Sequence, residues 1–225
     1  RDDLNRAYTL TYNTGGRLAT ICDFSGRCWT YEYYGPSDPD GMLGDLRRVT
    51  TPPITGTPNG NDFPDGRSVT YTYTTGNSDD RLNHLLTSVR NARGTVFLRN
   101  EYDTTSAPTR LTFGRLLRQR WGAFDDIIDL VYVRVVPDMT NNFASIRVIM
   151  NMRDGAVKEA FYNHANLGVM YHEYTGFADP DSPTTENTNR PGPPLRPTDP
   201  LLFEHRWEHE SSGVVKIVIF PSGSQ

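Results

Sequence analysis

The 225-residue chain carries 23 basic and 27 acidic residues, a formal net charge of −4, with 36% hydrophobic and 22% charged residues. This is the composition of a folded protein with room for a sizeable core, not of a disordered tail. No apolar run approaches the roughly 18 residues of a membrane-spanning helix. The basic residues are interspersed with acids rather than gathered in a stripe, so neither a membrane span nor a nucleic-acid partner is expected of this segment.

In chain order, period-two alternation dominates. Tyr8, Leu10 and Tyr12 alternate with Thr9 and Thr11, and Trp29, Tyr31 and Tyr33 with Thr30 and Glu32. Cys22 and Cys28 flank the turn Asp23-Phe24-Ser25-Gly26. A bridge across so short a loop adds little stability; two free thiols are the ordinary expectation and a disulfide the alternative. Gly35 to Asp65 holds six prolines and reads as an insertion at about 35–64. Val69, Tyr71 and Tyr73 form the next strand, followed by a short polar insertion at 74–80. Leu82, Leu85, Leu86 and Val89 have helical spacing, with Asp79 or Asp80 as N-cap. Yet 86–90 runs straight into the turn at Asn91–Gly94, which favours strand there and leaves 80–85 open. Val131, Val133 and Val135 alternate again, and 156–166 is ambiguous. A third insertion at about 175–200 holds seven prolines, and Val215, Ile217 and Ile219 make the last strand. The aromatic residues at these strand positions (Tyr8, Tyr12, Tyr31, Tyr33, Tyr71, Tyr73 and Tyr102) are expected to stack in cross-strand ladders, with Arg and Asp receiving their buried hydroxyls. The two ends, Arg1 and Gln225, read as cuts through a longer polypeptide.

The turns recur at regular steps. Gly16 to Gly26 is ten residues, as is Gly213 to Gly223, and Gly94 to Gly114 is twenty. One strand plus one turn makes a ten-residue step, and two steps make a hairpin with open edges that must stack on neighbours. The residues carrying this period are specific. Tyr12-Asn13-Thr14-Gly15-Gly16-Arg17-Leu18 is followed by Asp23, Gly26-Arg27, Tyr31 and Tyr33. Gly66-Arg67 precedes Tyr71 and Tyr73; Gly94 precedes Tyr102-Asp103 and then Gly114-Arg115-Leu116. Gly155 precedes Tyr162-Asn163, and Gly213 and Gly223 bound a degenerate last copy.

This pattern resembles the Rhs or YD repeat, whose core is Tyr-Asp-x-x-Gly-Arg-Leu. The resemblance implies an all-β fold of antiparallel hairpins forming a curved sheet strip, a single segment over 1–225 and part of a larger hollow shell. In that family the shell encloses a C-terminal toxic domain in insecticidal toxin complexes and bacterial polymorphic toxins, or belongs to an extracellular adhesion receptor in teneurins. It implies a structural, non-catalytic role, a secreted or cell-surface location, and as partners the remaining repeats of the parent chain and an enclosed effector domain. A glycan- or protein-binding module using the Pro-rich insertions is the alternative, and an enzyme of unknown type the third.

Catalytic and metal signals are weak. His205 and His209, with Glu208 between them, lack the order of zinc-protease ligands; strand alternation puts His205, Trp207 and His209 on one face, without an evident third ligand. Asp38-Pro39-Asp40-Gly41-Met42-Leu43 is similar to the family's self-cleaving element, but its flanks differ. Asp38, Asp40 and Asp45 offer oxygen ligands without the full calcium-loop spacing. No phosphate loop, nucleophile elbow or dinucleotide fingerprint is present. No catalytic residue, metal site or cofactor is expected.

Overall fold

The computed structural model describes residues 3, 6–122, 126–183 and 189–221. Gly223, expected in the last repeat, lies outside the described residues. The chain is all-β. Its strands are β1 (Thr9–Tyr12), β2 (Leu18–Cys22), β3 (Cys28–Tyr33), β4 (Leu46–Thr50), β5 (Ser68–Tyr73), β6 (Leu86–Arg90), β7 (Val96–Tyr102) and β8 (Leu116–Trp121). They continue as β9 (Asp126–Arg134), β10 (Ile146–Asn151), β11 (Ala156–Tyr162), β12 (Gly168–Pro183), β13 (Asn189–Pro191), β14 (Leu202–His209) and β15 (Val215–Ile219). Neighbours in the sheet are neighbours in sequence, from β1 through β12 to β14 and β15, with β13 paired only to β12. This is the hairpin-repeated antiparallel sheet that the turn spacing predicts.

One turn is used six times. At Asn13, Asp23, Asn91, Met152, Asn163 and Glu210, the residue's N–H donates to the carbonyl four residues on, and its carbonyl accepts from the N–H three residues on. This is a three-residue hairpin loop whose last residue is left-handed. Gly26 fills that place with φ 84°, and Asn166, the one non-glycine among the six, with φ 59°; Asn is the residue that best tolerates that conformation after Gly. Where the opening residue is Asn or Asp, its side chain closes the loop further. Asp23 Oδ1 accepts from the N–H groups of Ser25 and Arg27 at 2.9 and 3.0 Å. Asn13, Asn91 and Asn163 repeat the pair of bonds. The Ser25 hydroxyl, the Arg27 guanidinium and those N–H groups together hold the Asp23 carboxyl well below the usual carboxylate range, against the opposing effect of burial.

Several expectations change. Cys22 and Cys28 are joined in a disulfide and are not free thiols. They stand directly opposite each other in the β2–β3 register, so the hairpin itself brings the sulfurs together. The first insertion contains β4, and Ile54 and Phe63 pair in an isolated bridge beyond it. Leu46-Arg47-Arg48-Val49-Thr50 hides this strand because charge occupies the positions where alternation would show. In the third insertion β12 runs on to Pro183, and β13 returns along it. The ambiguous segments resolve as a 3₁₀ turn at Asp80–Leu82 capped by Asp79, strand at 86–90, and strand β11.

Contacts divide the chain into two compact units, Arg1–Thr104 with Arg120–Asp125, and Thr105–Gln119 with Asp126–Gln225. In the first unit the buried apolar residues are few: Tyr34, Leu82, Val89 and Leu98. In the second, Ala144 packs with Phe161, Val169 and Met170, and Val135 lies against them. Asn142 ties the Ala144 loop down by donating to the carbonyls of Val169 (2.8 Å) and Trp207 (3.2 Å). Most other strand side chains are half-buried.

The disulfide is directly testable. Under denaturing conditions without reductant, thiol titration is expected to find no free thiol, and two after reduction. Chain entropy limits the loss of stability on Cys22→Ser with Cys28→Ser to about 2 kcal/mol, read as a lower urea midpoint.

Candidate functional site: a hydroxyl clamp repeated along the sheet

Four strands end in an aromatic residue that meets the first residue of the next strand where the register shifts. Tyr12 meets Leu18, Tyr33 meets Leu46, Tyr73 meets Leu86 and Tyr162 meets Gly168. A shift of this kind locally disrupts the ladder and puts its backbone groups out of step. The opening carbonyl is then satisfied from the far side. The Tyr33 hydroxyl donates to the Leu18 carbonyl at 2.9 Å, Tyr73 to Leu46 at 3.0 Å, Tyr102 to Leu86 at 3.0 Å and Tyr132 to Leu116 at 2.8 Å. In the last repeat His209 takes the tyrosine's part, its Nε2 donating to the Gly168 carbonyl at 2.6 Å. Tyr33 and Tyr73 thus each serve twice, as register partner of the following strand and as donor to the preceding one.

The Gly-Arg-Leu element now has a physical account. Gly16 ends the loop, and Leu18 presents the carbonyl. Arg17 lies over the Tyr33 ring with its guanidinium carbon 5.9 Å from the centroid. Arg115, before Leu116, lies 5.1 Å over Tyr132 in the same way. Each such contact adds about 0.5–1 kcal/mol at an exposed site. Gly114 precedes Arg115 with φ 67°. Arg67 departs from the scheme and stacks 4.1 Å over Phe63, and Gly66 lies so close to the Thr51 carbonyl that no Cβ fits. Tyr71 contributes its carbonyl as acceptor for the buried Tyr34 hydroxyl at 2.7 Å. Asp103 is buried beside Tyr102.

Cross-strand tyrosine ladders are not how these rings pack. Among the described residues Tyr12, Tyr31, Tyr33, Tyr71 and Tyr102 make no ring–ring contact, and Tyr73 meets Tyr34 edge-on at 6.3 Å. Nor do Arg and Asp receive the clamp hydroxyls: backbone carbonyls do. Burial and then the Asp45 carboxylate push the Tyr73 phenol up to about 12, so it remains a donor at any physiological pH.

A second cluster joins four strands of the second unit. Pairing sets Glu159 of β11 opposite His172 of β12, and His172 opposite Glu204 of β14. His172 Nε2 meets Glu204 at 2.8 Å and Nδ1 meets Glu159 at 3.4 Å. Tyr174 donates to Glu159 at 3.2 Å, Arg147 of β10 reaches it at 3.5 Å, and Arg206 donates to Glu204 at 2.6 Å. Burial alone would lower the His172 pKa, but the two carboxylates outweigh it and hold it above the ordinary histidine value. Burial alone would raise Glu204; Arg206 and His172 hold it below the ordinary value. Burial and Glu159 push Tyr174 up to about 12. Both ring nitrogens of His172 are taken up by the two carboxylates, so the cluster fastens strands. Sequence reading missed it because the three residues lie far apart in the chain, and only the register aligns them.

Several of the residues considered for metal or self-cleavage chemistry are otherwise engaged. Both ring nitrogens of His209 face carbonyls, of Gly168 and of Gly213 (3.2 Å). His205 stacks beside Trp207. Asp38 accepts from the Gly35 N–H at 2.7 Å, and Asp45 accepts from the Met42 N–H at 2.9 Å and faces His84 Nδ1 at 2.7 Å. Among the described residues no group of three His, Cys, Asp or Glu side chains is placed to hold a metal ion. No helix among them is long and apolar enough to cross a membrane. Comparison with known proteins finds no matching family model and no matching curated protein.

Two outcomes follow. Among the described residues Tyr73→Phe removes the sole side-chain donor to the Leu46 carbonyl and is expected to cost about 1 kcal/mol, lowering the urea midpoint at unchanged slope. Tyr102→Phe should cost less, because Asn100 also donates to Leu86, at 2.9 Å. For the histidine cluster, a pKa raised on folding stabilises fully below the unfolded value of about 6.5 and fades as pH rises through the folded one. Glu204, lowered on folding, stabilises above about 4.3 and fades as pH falls. The urea midpoint should therefore drop between pH 5.5 and 8.5, and His172→Gln should flatten that drop.

Proposed function

We propose that the chain is a non-catalytic wall segment of an Rhs/YD-type β-shell, which encloses a C-terminal effector domain or supports a cell-surface structure. The observation that carries this reading is the clamp relay. A side-chain donor to the carbonyl that opens a strand recurs from β2 to β14, and Gly-Arg-Leu stands at two of these openings, Gly16-Arg17-Leu18 and Gly114-Arg115-Leu116. Such a repeat stiffens a sheet by satisfying carbonyls that the ladder leaves over. It also makes each hairpin depend on its neighbours, as a wall requires. The polar groups best placed for chemistry, in the His172 cluster, bind one another across strands.

The test is made on the intact parent polypeptide from its source, by mass and limited proteolysis. The expected result is a very large chain holding a cleaved domain that stays bound after proteolysis of the surroundings. A parent without a retained domain would overturn the enclosing role and leave the surface-supporting one.

A further inference from the structure

Ala160 leaves a hollow in the sheet of the second unit. It stands opposite Val148 of β10 and Tyr171 of β12, and Val148 stands opposite Tyr132 of β9 in turn. A methyl group among larger neighbours does not fill its place on the pleat. The result is a trough of about 460 Å³ lying wholly within the second unit, the size of an ordinary small-molecule site. Leu116, Leu130, Val148, Met150 and Ala160 line it with apolar groups. Register sets its direction. Tyr162 is level with Ile146, Ala160 and Tyr132 with Val148, and Leu130 with Met150, so the lining crosses three rungs diagonally from β11 to β9. That is about 13 Å along the strands and about 10 Å across them, which suits an extended chain rather than a compact ring.

The polar lining is gathered at one end, where β8 and β10 open and β9 and β11 close. Arg115 precedes the opening of β8, Tyr162 closes β11, and Asn166 sits in the loop after it. All three side chains can donate, and among the described residues no acidic one lines the trough. The Arg115 guanidinium meets the Tyr132 ring and, among the described residues, no carboxylate. The Tyr162 hydroxyl and the Asn166 side chain make no hydrogen bond among the described residues. The corresponding Arg17 is engaged differently: it packs against Gly44, in the space a Cβ would need. Convergent donors at one end of an apolar trough match an anionic head on an apolar chain. One guanidinium without a carboxylate partner balances one negative charge.

We propose that this trough binds a free single-chain fatty acid. Its carboxylate lies on Arg115, Tyr162 and Asn166, and its chain passes over Ala160 and Val148 toward Leu130 and Met150. The proposal goes beyond the wall reading and does not depend on it.

Equilibrium dialysis of the full chain against radiolabelled decanoate, below its micelle concentration, tests it. The expected result is a single saturable site that binds hexanoate more weakly and does not bind decyltrimethylammonium. Arg115→Gln should weaken decanoate binding about tenfold, the loss of a hydrogen bond to a charged head. Asn166→Gly removes the amide at a left-handed position, φ 59°, that glycine accepts. It should weaken binding about fivefold, and it carries the test if Arg115→Gln lowers the urea midpoint. Ala160→Phe fills the hollow and should abolish saturable binding. No retention of decanoate would overturn the proposal. So would equal retention of decyltrimethylammonium, which would mean an apolar surface without a head site, or retention only on anionic phospholipid vesicles. Unchanged decanoate binding by folded Arg115→Gln and Asn166→Gly chains would overturn it as well. None of these outcomes bears on whether the parent retains a cleaved domain, so the two readings fail separately.

Discussion

A backbone carbonyl that its own ladder cannot satisfy is the constraint on which this structure turns. Each register shift at the start of a strand leaves one such group, and an unpaired buried carbonyl is costly. At five strand openings among the described residues the protein answers with a side-chain donor from the neighbouring strand, four times a tyrosine and once a histidine. The shift and the donor are therefore one device. The shift increases local twist, and the clamp fixes how far it goes. Aromatic residues suit the task because the ring packs on the sheet while its polar tip reaches the backbone.

The turns set the hairpin frame, and before Leu18 and Gly168 they lead into a clamped strand opening. A three-residue loop with a left-handed last residue turns the chain back on itself, and the next strand opens one or two residues after it. Asn or Asp at the loop's start replaces water as acceptor for two backbone N–H groups, and Asp23 shows the strongest form of this, with Ser25 and Arg27 added. The disulfide belongs to the same hairpin and joins the rung next to its loop.

The Glu159–His172–Glu204 cluster fastens strands in a different way from the clamps. Clamps run from one strand opening to the next, whereas this cluster binds the middles of β10, β11, β12 and β14 through charge. When protonated, a histidine between two carboxylates holds both where neither would tolerate a close like charge alone. Placed in the second unit, it makes the stability of those strands a function of pH, whereas burial and the Asp45 carboxylate hold the Tyr73 phenol up at about 12.

The sequence by itself determined the class of fold and its punctuation. Alternating Tyr, Thr and Val specified strands, and Asn or Asp followed three residues later by Gly specified the loops, because both are local preferences of backbone and side chain. Gly16-Arg17-Leu18 was legible as a recurring element, though its purpose was not. Tertiary structure alone decided what each group touches. Tyr33 and Leu18, Tyr73 and Leu46, or His172 with Glu159 and Glu204 are brought together by register, and a periodic sequence offers every strand several equivalent registers. β4 stayed hidden because its charged residues break the alternation while its neighbours' hydrogen bonds do not depend on side-chain type. The bond between Cys22 and Cys28 was likewise undecided until pairing set them face to face. Local chemistry can announce a turn, but only the completed ladder leaves a particular carbonyl over and so determines which distant hydroxyl must come to it.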